Sequence, residues 1–320
     1  MHVNLITLIE QFHDEEKDRT YLESLKWPDG VKCPRCGSPK ISHIKKAHKY
    51  DCDTCRYQFT VTAGTIFHDS HLPLWKWFLA VYLMMESKKS MSANQLKRSL
   101  GVSYKTAWYL CHRIRKAMEE ATENEPKLTG TVEIDETYVG GRYDKRRKRL
   151  PHEKQAVMGM IERHGKLEVK AISTNGRKIL IPIIEGRVDT KATVMTDEYA
   201  AYKSLDKEYH HEVVKHTAEE WVRGDAHTNS IENAWSLFKR SIVGSFHQIS
   251  AKHVSAYLDE FEWRFNGRKN PYLFRDTLIR LLNSPKMEFK ELISNSRRIF
   301  IPPLFALFRG TANYFFATAS

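Results

Sequence analysis

Two C-x2-C pairs constrain this chain more than any other feature. They are Cys33-Pro-Arg-Cys36 and Cys52-Asp-Thr-Cys55, with 15 residues between them. Each pair offers two thiolates from one tight turn, and four thiolates close a tetrahedral shell around zinc with no open position for substrate. The spacing falls within the pattern of structural zinc sites. Strand-like pieces at 41–44, 48–51 and 58–61 make residues 29–63 a zinc ribbon whose ligands are Cys33, Cys36, Cys52 and Cys55. The alternative, four free buried cysteines, does not account for the doubled spacing. His43 and His48 lie between the pairs and are not needed as ligands. The fifth cysteine, Cys111, shares an apolar helical face with Ala107, Ile114 and Met118 and reads as core. The N-terminus turns acidic early and does not resemble a secretory leader, so a reducing cytoplasm is the expected setting rather than a disulfide framework.

Charge narrows the partner. Lys and Arg number 51 against 39 Asp and Glu, a formal net charge of +12. Such a surface suits a polyanion, with nucleic acid ahead of an anionic membrane. No apolar run approaches the roughly 18–20 residues needed to span a bilayer. The expected location is cytoplasmic and nucleoid-associated. At 320 residues the chain has room for several domains.

Residues 1–28 read as one or two short helices that cap and pack on the neighbouring domain. After the ribbon, residues 64–122 carry three helix patterns: one from Pro73, one after Ser92, and one from about Ser103 to Glu120. Gly101-Val-Ser103 joins the last two as a helix-turn-helix. The exposed side of the third helix is expected to carry Lys105, Thr106, Tyr109, His112, Arg113, Arg115 and Lys116. In that arrangement the N-terminal residues reach base edges and the cations reach phosphates. Lys105, Thr106, Tyr109 and Arg113 are the DNA-contact candidates here; an ordinary three-helix bundle with a solvated basic face is the competing reading. Polar residues 121–130, with Pro126, mark a boundary.

The second half alternates differently. Strands are expected at 131–139, 156–162, 167–173, 192–196 and 212–215, with helices at 177–186, 252–265 and 272–282. This is a mixed α/β pattern. The loop 142–154 holds seven Lys or Arg against Asp144 and Glu153. Its Arg146 and Arg147 are candidate contacts to the DNA backbone. The stretch 227–240 (His-Thr-Asn-Ser-Ile-Glu-Asn-Ala-Trp-Ser-Leu-Phe-Lys-Arg) is an amphipathic helix. Ile231, Ala234, Trp235, Phe238 and Ile242 form its apolar stripe, while Asn229, Glu232, Ser236 and Lys239 share a polar one. Asp135 and Asp197 lie where strands end. Two-metal phosphoryl transfer needs hard oxygen ligands that converge from separate elements, and these two aspartates with Glu232 form such a set. Asp197 and Glu232 have 34 residues between them, and Lys239 follows Glu232 by seven, two helical turns along the same face.

That D…D-x34-E-x6-K spacing resembles the catalytic signature of DDE transposases. The motifs at 64–77 (Gly-Thr-Ile-Phe-His-Asp-Ser-His-Leu-Pro-Leu-Trp-Lys-Trp), 100–108 (Leu-Gly-Val-Ser-Tyr-Lys-Thr-Ala-Trp), 133–141 (Glu-Ile-Asp-Glu-Thr-Tyr-Val-Gly-Gly) and 227–240 are similar to bacterial insertion-sequence transposases. The relevant subgroup has an N-terminal zinc ribbon and helix-turn-helix, and the resemblance covers about residues 1–270. It implies a multidomain chain in which an α/β ribonuclease-H-like catalytic domain with a mixed sheet occupies 128–270; a C-terminal helical tail at 271–320 lies beyond the resemblance. It further implies that Asp135, Asp197 and Glu232 bind magnesium, with manganese as a substitute. Lys239, with Arg240 beside it, would contact DNA. Some members of this broad group carry Asn in place of the third acid, which leaves Asn229, one turn upstream, as the alternative. Glu133, Glu136, Glu198 and Asp225 read as structural or supporting.

The implied reaction is cleavage of DNA at the element's terminal inverted repeats and transfer of the freed end to target DNA, by a homo-oligomer on DNA. Two other readings compete: a DNA-binding regulator with an inactive nuclease-like domain, and a nuclease without strand transfer. The apolar stretch 297–309 is broken by Pro302 and Pro303 and suits packing, not membrane crossing.

Overall fold

Helix starts in this chain are set by short polar side chains. The computed structural model describes residues 3–44, 48–119, 125–140, 154–214 and 227–294. Helix α1 (Leu5–Gln11) begins at Asn4, whose side chain accepts from the backbone N–H of Ile6 and Thr7. Helix α2 (Glu15–Lys26) begins at Asp14, with three acids in its first turn and Lys26 at its end, as the helix dipole favours. The ribbon is an antiparallel sheet of β1 (Ile41–Ile44), β2 (Lys49–Cys52) and β3 (Gln58–Phe59). Then come α3 (Leu74–Glu86), α4 (Ala93–Leu100) and α5 (Tyr104–Met118). Ser92 and Ser103 cap the last two, and Gly101 supplies the left-handed residue (φ 62°) that ends α4.

Central in sequence is a five-stranded sheet. Its strands are β4 (Thr131–Val139), β5 (Gln155–Glu162), β6 (Leu167–Ile172), β7 (Thr193–Asp197) and β8 (His210–Val214), in the order β6-β5-β4-β7-β8. β4, β5 and β6 pair antiparallel, while β7 and β8 run parallel to β4. Helix α6 (Arg177–Arg187) lies between β6 and β7 in sequence and continues through Pro182. Helix α7 (Asn229–Ser241) comes after β8, and a π-helical turn at Ile242–Phe246 extends it. The chain ends its described part with α8 (Val254–Asn266), α9 (Leu273–Asn283) and α10 (Phe289–Ile293).

These elements form two units. The first holds the described residues through Glu119, with Arg240–His247 and Asp259–Ser294; the second holds the described residues of 125–239 and Gln248–Leu258. The core of the first is built from α1–α5 with Phe274, Leu278, Leu281 and Leu282 of α9. Cys111 lies in it, fully buried beside Ala107, Ile114 and Met118, as its helical spacing predicts. The core of the second lies on one face of the large sheet. There Val132 and Ile134 of β4, Met158 and Met160 of β5 and Val194 of β7 pack with Leu180, Ile183 and Ile184 of α6. Helix α7 packs on the other face, against β5. The mixed sheet with its helices is consistent with a ribonuclease-H-like domain. Among the described residues no helix is long and apolar enough to cross a membrane.

Candidate active site and metal centres

Side chains alternate along a strand, so β4 puts Glu133 and Asp135 on one sheet face and Glu136 on the other. β4 pairs with β7 as Thr131 to Thr193, Val132 to Val194 and Glu133 to Met195. Each pair differs by 62 positions, and the same register carried two residues further sets Asp135 level with Asp197, the last residue of β7. On its other edge β4 pairs with β5, Asp135 opposite Gly159. Helix α7 rests on that glycine: a Cβ there would stand 2.5 Å from Trp235 Cζ2 and 2.8 Å from Ile231 Cδ1. Glu232 is the residue directly after Ile231. β4, β7 and α7 thus bring Asp135, Asp197 and Glu232 into one neighbourhood.

The electrostatics agree. Burial pushes the half-buried Asp135 up to about 6, and the charges of Asp197 and Glu232 add to the rise. The backbone N–H of Glu136 acts the other way. The Trp235 indole also favours the ionised form, although its N–H completes no hydrogen bond among the described residues. Asp197 accepts from the backbone N–H of Tyr199 at 3.0 Å. Glu232 is exposed and accepts from the Thr228 hydroxyl at 2.9 Å. On the opposite face burial lifts Glu136 to about 7, with Asp135 and Asp197 adding, while the Tyr202 hydroxyl donates to it.

Hard carboxylate oxygens that repel one another are the donor set a divalent cation relieves. Asp135, Asp197 and Glu232 therefore fit magnesium or manganese in their chemistry. They do not form a closed shell. Among the described residues, only Cys33, Cys36, Cys52 and Cys55 form a group of three or more metal-binding side chains whose ligand atoms all lie within 4.8 Å of one another. Asn229 is exposed.

The thiol cluster fits zinc closely. A tetrahedral shell with Zn–S near 2.3 Å spaces its sulfurs by roughly 3.8 Å; Cys33 and Cys55 are 3.7 Å apart and Cys36 and Cys52 are 3.5 Å apart. Both knuckles close alike. Gly37 N–H donates to Cys33 O and Arg56 N–H to Cys52 O, each at 2.8 Å, and both donors are left-handed at φ 72° and 56°. Burial raises the Cys52 thiol, but the backbone N–H groups of Cys55 and Thr54 together with the Cys36 and Cys55 thiols outweigh it and bring the thiol to about 6.

The basic face expected on α5 needs correction. His112, Arg113 and Arg115 are buried, at 1%, 5% and 2% exposure. Arg113 donates to the carbonyls of Ile66 and His68, and its guanidinium lies between the Trp77 and Tyr109 rings. Arg115 pairs with the buried Glu260 at 2.7 Å. Burial would raise Glu260, but Arg115 and Arg264 hold it below the usual carboxylate range. A buried arginine committed to internal partners is no phosphate contact, so Arg113 leaves the DNA-facing set. The other three candidates differ. Lys105 is exposed, with its ammonium 4.8 Å from the Phe289 ring centroid. Thr106 bonds the Ser103 cap, and Tyr109 donates to the Met287 carbonyl. Together with Arg113 these residues line a cavity of about 460 Å³ that Phe289 also borders. Lys239 and Arg240 are exposed on α7. Arg146, Arg147 and Asp225 lie outside the described residues.

Glu133 reads from the sequence as structural or supporting, whereas Gly159 and Arg163 carry no motif there. Period-two alternation marks Glu133 as sharing the Asp135 face. Nothing local marks the other two, because what they contact lies 72 and 30 or more positions away.

Comparison with known proteins agrees with this architecture. Residues 127–266 match the ISXO2-like transposase domain, and residues 13–58 match the transposase zinc-ribbon domain. The chain is 31% identical over 289 residues to an uncharacterized protein in transposable element ISH50 of Halobacterium salinarum, covering 82% of this chain and 95% of that one. Among solved structures, a simian T-cell lymphotropic virus intasome in complex with PP2A regulatory subunit B56 gamma superposes at 10% identity and a TM-score of 0.28. The match spans 71% of this chain and 78% of that one, too loose to establish a shared fold. With the zinc ribbon, the transposase domain and the near full-length relative in agreement, the chain belongs to the insertion-sequence transposases.

Proposed function

We propose that this transposase cleaves DNA at the ends of its element and joins the freed ends to target DNA, with Asp135, Asp197 and Glu232 as ligands of two magnesium ions. One observation supports the reading: the 62-residue interval between the aspartates equals the β4/β7 register, and the charges of both Asp197 and Glu232 act on Asp135. In the first step a water oxygen attacks phosphorus, the P–O3′ bond breaks and a 3′-hydroxyl leaves. In the second, that hydroxyl oxygen attacks a target phosphorus and displaces another 3′-hydroxyl. Metal ions held by the three carboxylates would activate the entering oxygen and neutralise the leaving one. The protein's own part is to hold the carboxylates from three elements and to bind the phosphate backbone. Lys105, Lys239 and Arg240 are the exposed cations that support backbone binding, while α4 and α5 support a helix-turn-helix role.

The test uses the full chain, magnesium and a labelled duplex carrying the flanking inverted repeats. Metal-dependent cleavage that leaves a 3′-hydroxyl, and then joining, is expected. Asp197→Asn should abolish both while DNA binding persists, and normal cutting by that variant would overturn the site. Cleavage without joining would favour a nuclease, and specific binding without cleavage a regulator.

A further inference from the structure

Glu133 shares a sheet face with Asp135 two residues away, yet its surroundings are those of an anchor. It is fully buried. Its Oε2 accepts the backbone N–H of Ser230 at 2.7 Å and that of Ile231 at 3.1 Å. Its Oε1 accepts Arg163 Nε at 2.8 Å and the Ser230 hydroxyl at 3.0 Å, with His227 Nδ1 3.2 Å away. A carboxylate has about four lone-pair sites, and these four donors fill them. No lone pair is left for a cation. That separates Glu133 from the metal-facing acids on the same side of the sheet.

We infer that Glu133 is a positioning residue that sets Glu232 against the two aspartates by clasping the first turn of α7. The inference rests on the metal-site reading above. The first N–H groups of a helix have no partner within it, and here two of them are met by a side chain almost a hundred positions earlier. The residue after the second of those N–H groups is Glu232. The residue two after the carboxylate is Asp135. One side chain on β4 therefore fixes how far α7 slides along the sheet, while Trp235 over Gly159 fixes how closely it approaches. Arg163 completes the clasp: its guanidinium also donates to the His227 carbonyl at 3.0 Å, holding the residue that leads into α7. Its guanidinium also gives the buried Glu133 side chain an ion-pair partner at 2.8 Å.

The expected consequence is on metal affinity. Groups that orient metal ligands typically alter affinity or activity by about 10–100-fold when changed. Glu133→Gln keeps the side-chain length but turns one acceptor into an NH2 that faces Arg163. Manganese binding to the full chain, measured by electron paramagnetic resonance, should weaken by roughly 10–100-fold. The magnesium concentration for half-maximal cleavage should rise by a similar factor, with binding to the duplex unchanged. A merely structural glutamate would lower the melting temperature and the active fraction but leave manganese affinity and magnesium dependence of the folded protein where they were; that result overturns the inference. If Glu133→Gln does not fold, Glu133→Asp keeps the charge but shortens its reach by one methylene. It should shift manganese affinity in the same direction, and wild-type affinity there would also overturn the clasp. Asp197→Asn separates the two levels. If it binds manganese and cuts like wild type, the metal-site reading fails. If it loses both while Glu133→Gln loses neither, only the clasp fails.

Discussion

Gly159→Ala puts the docking of α7 to the sharpest test. The new Cβ would meet Trp235 Cζ2 at 2.5 Å and both Trp235 Cη2 and Ile231 Cδ1 at 2.8 Å. Optimal carbon–carbon separation is about 3.5–4.0 Å, so each contact is short by about 0.7 Å or more. Neither neighbour has room to swing aside, because Ile231 and Trp235 are buried at 0% and 3% exposure. Either α7 lifts from β5 or the two side chains leave their rotamers. Overpacking of this kind costs about 1–3 kcal/mol, and about 1 kcal/mol lowers the melting temperature by roughly 2–4 °C for a unit of this size. Thermal and urea unfolding should show a loss of several degrees, and cleavage should fall further than the folded fraction does, because the lifted helix carries Glu232. Trp235→Leu removes the clashing ring. The two changes made together should therefore cost less than the sum of each alone, with a coupling of about 0.5–3 kcal/mol. Strict additivity, or Gly159→Ala at wild-type stability, would mean that α7 does not rest on β5 at this point.

Three further outcomes are expected. Zinc released by thiol oxidation and read with a metallochromic dye should come to one ion per chain. Cys52→Ser should lose it and melt the ribbon, and full zinc retention in that variant would refute the four-thiolate site. Asp18 is fully buried with no hydrogen-bond partner among the described residues, and burial first, then Glu15 and Asp14, raises it to about 6. Its folded pKa lies above the ordinary value of 3.8, so the folded state binds the proton more tightly; the first unit should lose stability as pH rises from about 4 to 6. Asp18→Asn should remove that slope and raise the melting temperature at neutral pH; an unchanged pH profile would refute the assignment. Removing the like charge at Asp197 should lower the Asp135 pKa from about 6, and a carboxyl-carbon NMR titration of Asp197→Asn that shows no fall would place the two acids apart.

How much of this was legible in the sequence depends on the range of each interaction. Strands, helix starts and the zinc ribbon were legible because their causes are local: alternation, Ser92 and Ser103 as caps, two residues between paired thiols. The aspartate pair was half legible. Its 62-residue interval is visible in the chain, but that it equals a strand register emerges only once β4 and β7 lie side by side. The third helix departs from its sequence reading for a physical reason. Arginine on a helix is presumed solvated, and α5 buries two of them because their partners come from the carbonyls of Ile66 and His68 and from Glu260, 145 positions from Arg115. Glu133 and Asp135 show the same limit at the site itself. They are carboxylates on one face of one strand, and alternation treats them alike. What divides a clasp from a metal ligand is how many donors already fill the oxygens. That number is fixed by where the first turn of α7 lands, 97 positions later. The tasks of such acids therefore depend on their donors in three dimensions: Glu133 takes four, from Arg163, Ser230 and Ile231, whereas Asp135 takes the Glu136 backbone N–H and feels the charges of Asp197 and Glu232.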